Sequence, residues 1–284
     1  MIEVVRSGPL TTVQDLGRPG YAHLGVPHAG AADLPSLCLA NRLVGNPEDA
    51  AGLELTFGGA ALRLRAAAWI AVTGARLPIL VDGRPYGMNA PLRAGAGALV
   101  ELGVPTAGLR TYLAVRGGID VEPVLGSRST DLLSHLGPDP LTPGDHLPVG
   151  AAAATDAGWP GVDVAPVRAL PAEPVLRVVA GPRADWFVDP GVLAGQAYEV
   201  APASNRVGVR LDGRPLERAT RSELASEGMV TGALQVPPNG LPIVFLADHP
   251  TTGGYPVVGV VVAADLPLAG QLRPGQRVRF RHVR

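Results

Sequence analysis

Ala68-Trp69-Ile70-Ala71-Val72, then Pro78-Ile79-Leu80-Val81, then Asp82-Gly83 are two short apolar runs closed by a dipeptide suited to left-handed backbone. Runs of this length, rich in β-branched and aromatic residues, read as strands, and Asp-Gly is a hairpin signal. The pattern recurs at Arg110-Thr111-Tyr112-Leu113-Ala114-Val115, Val175-Leu176-Arg177-Val178-Val179 and Pro242-Ile243-Val244-Phe245-Leu246, with further turns at Asp212-Gly213 and Asn239-Gly240. Leu92-Arg93-Ala94-Gly95, Leu141-Thr142-Pro143-Gly144 and Leu272-Arg273-Pro274-Gly275 each precede a short apolar stretch, as a turn feeding a strand does. The 37 glycines and 29 prolines act as punctuation between these elements. So many closely spaced strands predict a mainly β protein, barrel or sandwich, with a few short helices instead of βαβ units.

The best helix begins after Asp33, a good N-cap, and runs from Leu34 to Val44, where Gly45 and Asn46-Pro47 stop it. Shorter helices are expected over Thr130 to Leu136 and Arg183 to Val188. The Ala/Pro-rich stretch 151–174 reads as a linker. It divides an N-terminal β subdomain, 1–150, from a C-terminal one, 175–284, and the two halves can interleave.

With 284 residues, 46% of them hydrophobic, the chain can build a sizeable core without staples. Its single cysteine, Cys38, excludes an internal disulfide and a Cys-rich zinc site, which points to a reducing compartment. No signal-peptide pattern opens the sequence and no run of 18 apolar residues occurs, so the expected location is the cytoplasm. A net charge of −1 and an aromatic content of 4% argue against nucleic acid or an anionic membrane as partner. All 24 basic residues are arginine. A Walker A loop, a kinase-type lysine and a Schiff base are therefore excluded within this chain.

Four glycine-rich segments carry more polar residues than a scaffold needs. The first holds Gln14, Asp15 and Arg18, and the second is Gly126-Ser127-Arg128-Ser129-Thr130-Asp131. The third joins Ser204-Asn205-Arg206-Val207-Gly208 to Ser226-Glu227-Gly228-Met229, and the fourth joins Gln235 to Asp248-His249-Pro250-Thr251-Thr252-Gly253-Gly254-Tyr255-Pro256. In the fourth, a strand delivers Asp248 and His249 to a loop of hydroxyls and glycines, where a proton could be handled and an oxyanion bound. The same residues also suit a strand-terminating turn in which Thr and Asp satisfy the backbone. Spacing leaves both readings open.

Arg18 and Arg128 could clamp a carboxylate or phosphate, although an arginine in such a turn is more often structural. Gln14 and Asp15 lean to a structural role. Glu227 reads either as a base or as the partner of an arginine. No Gly-x-Ser-x-Gly elbow occurs, and none of the six histidines stands at the i, i+4 spacing of a zincin, so no metal site is expected.

Gly8 to Arg18, Gly117-Gly118-Ile119, Gly126 to Asp131, Ser204 to Gly208 and Thr251 to Pro256, in that order over nearly the whole chain, resemble the carboxyltransferase family also called allophanate hydrolase subunit 2. The resemblance implies a cyclophilin-like β-barrel architecture. It implies one component of a larger enzyme, the C subunit of ATP-dependent 5-oxoprolinase, working in a hetero-oligomer with a KipI-like B subunit and a lactam-utilisation A subunit to open 5-oxoproline to glutamate. ATP with Mg would be the cofactor, held on this chain or on a partner. The urea-amidolyase branch of the family implies biotin-dependent carboxyl transfer instead, and its KipA-like branch a regulatory binding protein. Biotin would arrive on another chain, since no lysine exists to carry it. On this resemblance His249, Asp248 and Arg128 are the expected catalytic residues, with His249 as proton carrier. Arg18, Asn205, Arg206, Gln235, Thr252, Gly253, Gly254 and Tyr255 are expected to bind substrate.

Overall fold

The computed structural model describes residues 1–151, 163–220 and 222–283. The chain divides into two compact units. The first comprises Met1–Arg18, Ala29–Asp131 and His135–Ala169, and the second Pro19–His28, Leu132–Ser134 and Leu170–Arg284. Of the stretch 151–174 expected as a linker, residues 152–162 lie outside the described residues. Its remaining residues divide between the units at Ala169 and Leu170.

The first unit contains two antiparallel sheets. One runs His146–Leu147, Ile2–Arg6, Ala61–Leu64, Leu99–Leu102, Ile79–Val81, Arg84–Tyr86 in spatial order. The other runs Leu10–Gln14, Gly52–Thr56, Ala107–Val115, Ala68–Arg76, Pro91–Ala94. The Asp82-Gly83 hairpin forms as its chemistry requires, with φ of 49° and 76° at the two residues.

Strand alternation assigns the faces. Ile70, Val72, Leu113 and Val115 join one apolar core with Val4, Leu62 and Val100 of the other sheet. On the opposite face Ala71 and Ala114 meet Ala40 and Leu43 of the helix Leu34–Leu43. Small residues under the helix allow it to lie close to the sheet. Asp33 caps that helix, its carboxylate accepting from Ser36 N at 3.2 Å, a contribution of about 1 kcal/mol.

The second unit is a closed seven-stranded barrel, in the order Val175–Ala180, Val257–Val261, Ala233–Gln235, Ile243–Phe245, Gly208–Asp212, Ala197–Val200, Arg277–His282. An odd number of strands cannot close with every neighbour antiparallel. The barrel resolves this with one parallel pair, Val175–Ala180 beside Arg277–His282. Alternate residues, among them Leu176, Val178, Leu211, Leu234, Val244 and Phe280, fill its interior.

Two expected helices are corrected. Thr130 to Leu136 is a turn closed by Asp131 N donating to Leu136 O at 2.9 Å. His135 and Gly137 both take positive φ, 55° and 77°, which a right-handed helix cannot hold. In Arg183 to Val188 only Ala184–Trp186 forms a single 3₁₀ turn, because Phe187 is extended and bridges Arg218. Among the described residues no helix is long and apolar enough to cross a membrane.

Candidate functional site

The strand Ile243–Phe245 leaves the barrel wall and leads directly into Asp248 and His249. Asp248 is fully buried and meets the equally buried Arg206 side-on, with Arg206 Nε to one carboxylate oxygen at 2.9 Å and Nη2 to the other at 2.8 Å. The oxygen facing Nε also accepts from Leu132 N at 3.3 Å, and Asp248 N donates to Arg206 O at 3.1 Å. This carboxylate holds the loop: Asp248, expected as catalytic, and Arg206, expected to contact substrate, form a buried pair with each other.

His249 packs beside the Phe245 ring, the planes 20° apart. Its Nδ1 lies 2.7 Å from Pro250 O. A carbonyl only accepts, so Nδ1 carries the proton and Nε2 is the free lone pair when the ring is neutral. Burial holds its pKa below the usual 6.5, with His28 acting in the same direction, while the Pro250 carbonyl and Asp248 oppose them.

Beyond Pro250 the chain turns back. Thr252–Gly253 pairs antiparallel with Glu227–Gly228 in a two-stranded ribbon outside the barrel. Two features set its position. Glu227 is gripped by Arg183 through Nε and Nη2, and the Arg183 guanidinium lies over the Trp186 ring at 5.6 Å. Gly253 packs against Gln235 Nε2 and Met229, where a Cβ would collide with the amide. Gln235 Nε2 also donates to Tyr255 O at 3.3 Å, so Gln235 acts on the loop's backbone.

Gly254 and Tyr255 emerge in the wall of a cavity of about 1040 Å³, large for a small-molecule site. Val188, Val192 and Leu224 supply apolar wall, and Arg214, Glu217, Arg218 and Glu223 supply charge. Of the residues expected at the site, Gly254 and Tyr255 alone line this cavity. Asn205 does not line it either. Its Oδ1 accepts from Val207 N and Gly208 N at 2.9 and 3.2 Å and so shapes a turn.

Arg18 and Arg128 belong to the first unit; Arg128 lies on the segment around Gly126 and Arg18 bonds to it. Arg18 is buried, its Nε donating to Val124 O at 3.3 Å and its Nη2 to Ser129 O. Arg128 donates through Nε to Val121 O and through Nη2 to Asp120, at 2.8 and 2.9 Å. The Asp15 carboxylate ties this segment together, accepting from Gly17 N, Arg128 N and the Ser127 and Ser129 hydroxyls at 2.6–2.8 Å. Both arginines bond the protein's own carbonyls and carboxylates, and neither lines the cavity. Sequence reasoning missed Arg214 and Arg218. Their one signal was the charged run Arg214-Pro215-Leu216-Glu217-Arg218 immediately after the Asp212-Gly213 turn.

An antiparallel two-sheet unit and a seven-stranded barrel bearing a charged cavity define a carboxyltransferase-type β protein. The crystal structure of Kluyveromyces lactis urea carboxylase contains the same fold, with a TM-score of 0.90 and 30% identity over 100% of this chain and 27% of that one. The chain belongs to the carboxyltransferase domain family, subdomain A and B, whose profile matches residues 24–282. It is 39% identical to the C subunit of 5-oxoprolinase from Escherichia coli (strain K12), over 99% of this chain and 90% of that protein. It is 33% identical to the urea amidolyase of Lachancea kluyveri, over 98% of this chain and 17% of that protein.

Proposed function

We propose that the chain is the C subunit of a 5-oxoprolinase, contributing to the opening of 5-oxoproline to glutamate within an assembly of partner subunits. The observation that carries this reading is the 39% identity to a protein of that name, spanning nearly the whole of both chains. A lactam carbonyl is stabilised by resonance and resists water, so its opening needs activation of the carbonyl and stabilisation of the charge that develops.

For ATP and Mg the fit is poor. The arginines expected to hold phosphate are engaged by protein carbonyls and carboxylates. Among the described residues no group of three or more His, Cys, Asp or Glu could hold a metal. We therefore assign ATP and Mg to a partner protein and the substrate to the cavity beside Gly254 and Tyr255. Partners of the B and A type would complete the assembly. In this arrangement Gln235, Thr252 and Gly253 set the loop that forms one wall, and His249 stands at the start of that loop, outside the cavity lining.

The test is glutamate release from 5-oxoproline with ATP, comparing this chain alone, with its B partner, and with both A and B partners. Release confined to the full mixture supports the reading. None from any mixture of folded, assembled subunits removes it. The match to urea amidolyase over 98% of the chain supports a second reading, carboxyl transfer from biotin carried by another chain. Carboxylation of urea by the assembly, with no glutamate release, would favour that alternative.

A further inference from the structure

The tetrapeptide Asp-Gly-Arg-Pro occurs twice, at 82–85 and 212–215, each time where a strand ends. The first copy closes a tight hairpin, in which Arg84 pairs with Val81. The second does not close, and neither Asp212 nor Gly213 takes positive φ. A Cβ on Gly213 would stand 2.8 Å from the ring of the fully buried Tyr198, so this glycine serves close packing instead of a turn. A side chain then holds the backbone of Arg214. Gln196 Oε1 accepts from Arg214 N and Gln196 Nε2 donates to Arg214 O, each at 2.8 Å. Two residues further on, Leu216 is buried in the barrel core, and its N donates to Gly240 O at 2.8 Å.

Arg214 thus stands on a fixed piece of backbone, is exposed, and lines the cavity. Arg177, Arg183 and Arg206 of the same unit are each bonded to a carboxylate of the chain itself. The Arg214 guanidinium has no hydrogen bond or ion pair among the described residues. Asn239 lines the same cavity on the loop that Leu216 N holds through Gly240. Its Oδ1 accepts from Leu241 N at 3.1 Å, while its Nδ2 donates to none of the described residues. Two loops bonded to each other therefore carry a cation and an amide donor, a donor set that suits an anion. Asp189, Glu217 and Glu223 also line the cavity, so three carboxylates are set against the guanidinium groups of Arg214 and Arg218. Such a lining accepts an anion of single charge and repels one of several charges.

We propose that Arg214 binds the carboxylate of a small monocarboxylate seated in the cavity, with the Asn239 amide as a second donor and Gln196 as the residue that positions Arg214. The identification of that ligand with 5-oxoproline rests on the function proposed above. The carboxylate site itself does not.

Titration calorimetry on the full chain, with 5-oxoproline and with cyclopentanecarboxylate, which lacks the lactam, separates the two. Wild type is expected to bind 5-oxoproline, and Arg214→Gln to bind it roughly tenfold more weakly, the scale of a charge-assisted hydrogen bond in a site open to water. Arg214→Lys should recover part of the loss, since a point charge replaces the planar fork. Gln196→Ala should weaken binding in wild type and add nothing in Arg214→Gln, a coupling that independent effects on the fold would not produce. An effect of equal size in both backgrounds would remove its positioning role. The uncharged 5-oxoproline amide should bind wild type and Arg214→Gln alike. Binding of neither carboxylate by wild type, equal binding by Arg214→Gln, or tighter binding of pyrophosphate than of either carboxylate would each overturn the proposal. Arg214-dependent binding with no glutamate release from the full assembly would leave the carboxylate site standing and remove the 5-oxoprolinase reading. Glutamate release with a KM unmoved by Arg214→Gln would do the reverse.

Discussion

Arg206 and Asp248 lie 42 positions apart and meet in a buried fork, 2.9 and 2.8 Å, that fastens the loop leaving Ile243–Phe245 to the turn before Gly208–Asp212. The two strands are barrel neighbours, with Gly208 opposite Phe245. The pair thus locks the ends of two adjacent strands and fixes where His249 and the following loop begin.

Removal of one partner leaves a buried charge without its counterion, which costs about 3–5 kcal/mol. Asp248→Ala is expected to lower barrel stability by that order in urea unfolding. A double change, Arg206→Met with Asp248→Leu, should restore most of the loss, because no charge is then stranded. Full stability with abolished turnover in Asp248→Ala would return Asp248 to a chemical role.

Arg128 offers the opposite case. Its ion pair with Asp120 is exposed on both sides, at 36% and 56%, and such pairs contribute about 0–1 kcal/mol. The bond from Arg128 N to Asp15 belongs to the backbone and survives substitution. Arg128→Ala should therefore unfold within about 1 kcal/mol of wild type and leave turnover of the assembled enzyme unchanged. A large fall in kcat at normal stability would restore Arg128 as an anion clamp.

These two arginines also show where sequence reading succeeds and stops. The strand at Ile243, the Asp82-Gly83 hairpin and the helix capped by Asp33 rest on local composition, and they stand in the structure. The seven-stranded closure and the joining of 19–28 and 132–134 to the barrel unit depend on contacts far apart in sequence. No local pattern encodes them. Arg18, Arg128 and Arg206 attract attention because they sit among glycines, yet each bonds acceptors of the protein itself, those of Arg18 and Arg206 far away in sequence. Arg214 and Arg218, in a short charged run after the Asp212-Gly213 turn, are the arginines that line the cavity.

The Arg183–Glu227 pair holds the ribbon that carries Thr252 and Gly253, and it depresses the Glu227 pKa through that hydrogen bond. Arg183→Ala should speed hydrogen exchange at Met229 N, which donates to Thr251 O at 2.9 Å, while leaving the barrel strands protected. Because Gly254 and Tyr255 follow the ribbon, KM should rise more than kcat falls. Unchanged exchange at this amide would show that the ribbon is held by Gln235 and Met229 alone.

His249 gives the chain a pH dependence whose sign is determined by burial. Its folded-state pKa lies below 6.5, chiefly because burial disfavours the charged ring. As pH falls below the unfolded value, the unfolded chain takes up a proton that the folded chain refuses, so stability declines until the folded pKa is reached. His249→Phe keeps an aromatic ring beside Phe245 but cannot titrate, and it leaves the Pro250 carbonyl without its donor. It should be less stable than wild type at pH 7.5, by about 1 kcal/mol. The gap should narrow as pH falls from 6.5 towards 5, because the wild type alone loses this contribution. Thermal unfolding of both chains across that range measures it. Parallel Tm curves would mean that the ring is protonated as readily in the folded chain as in the unfolded one.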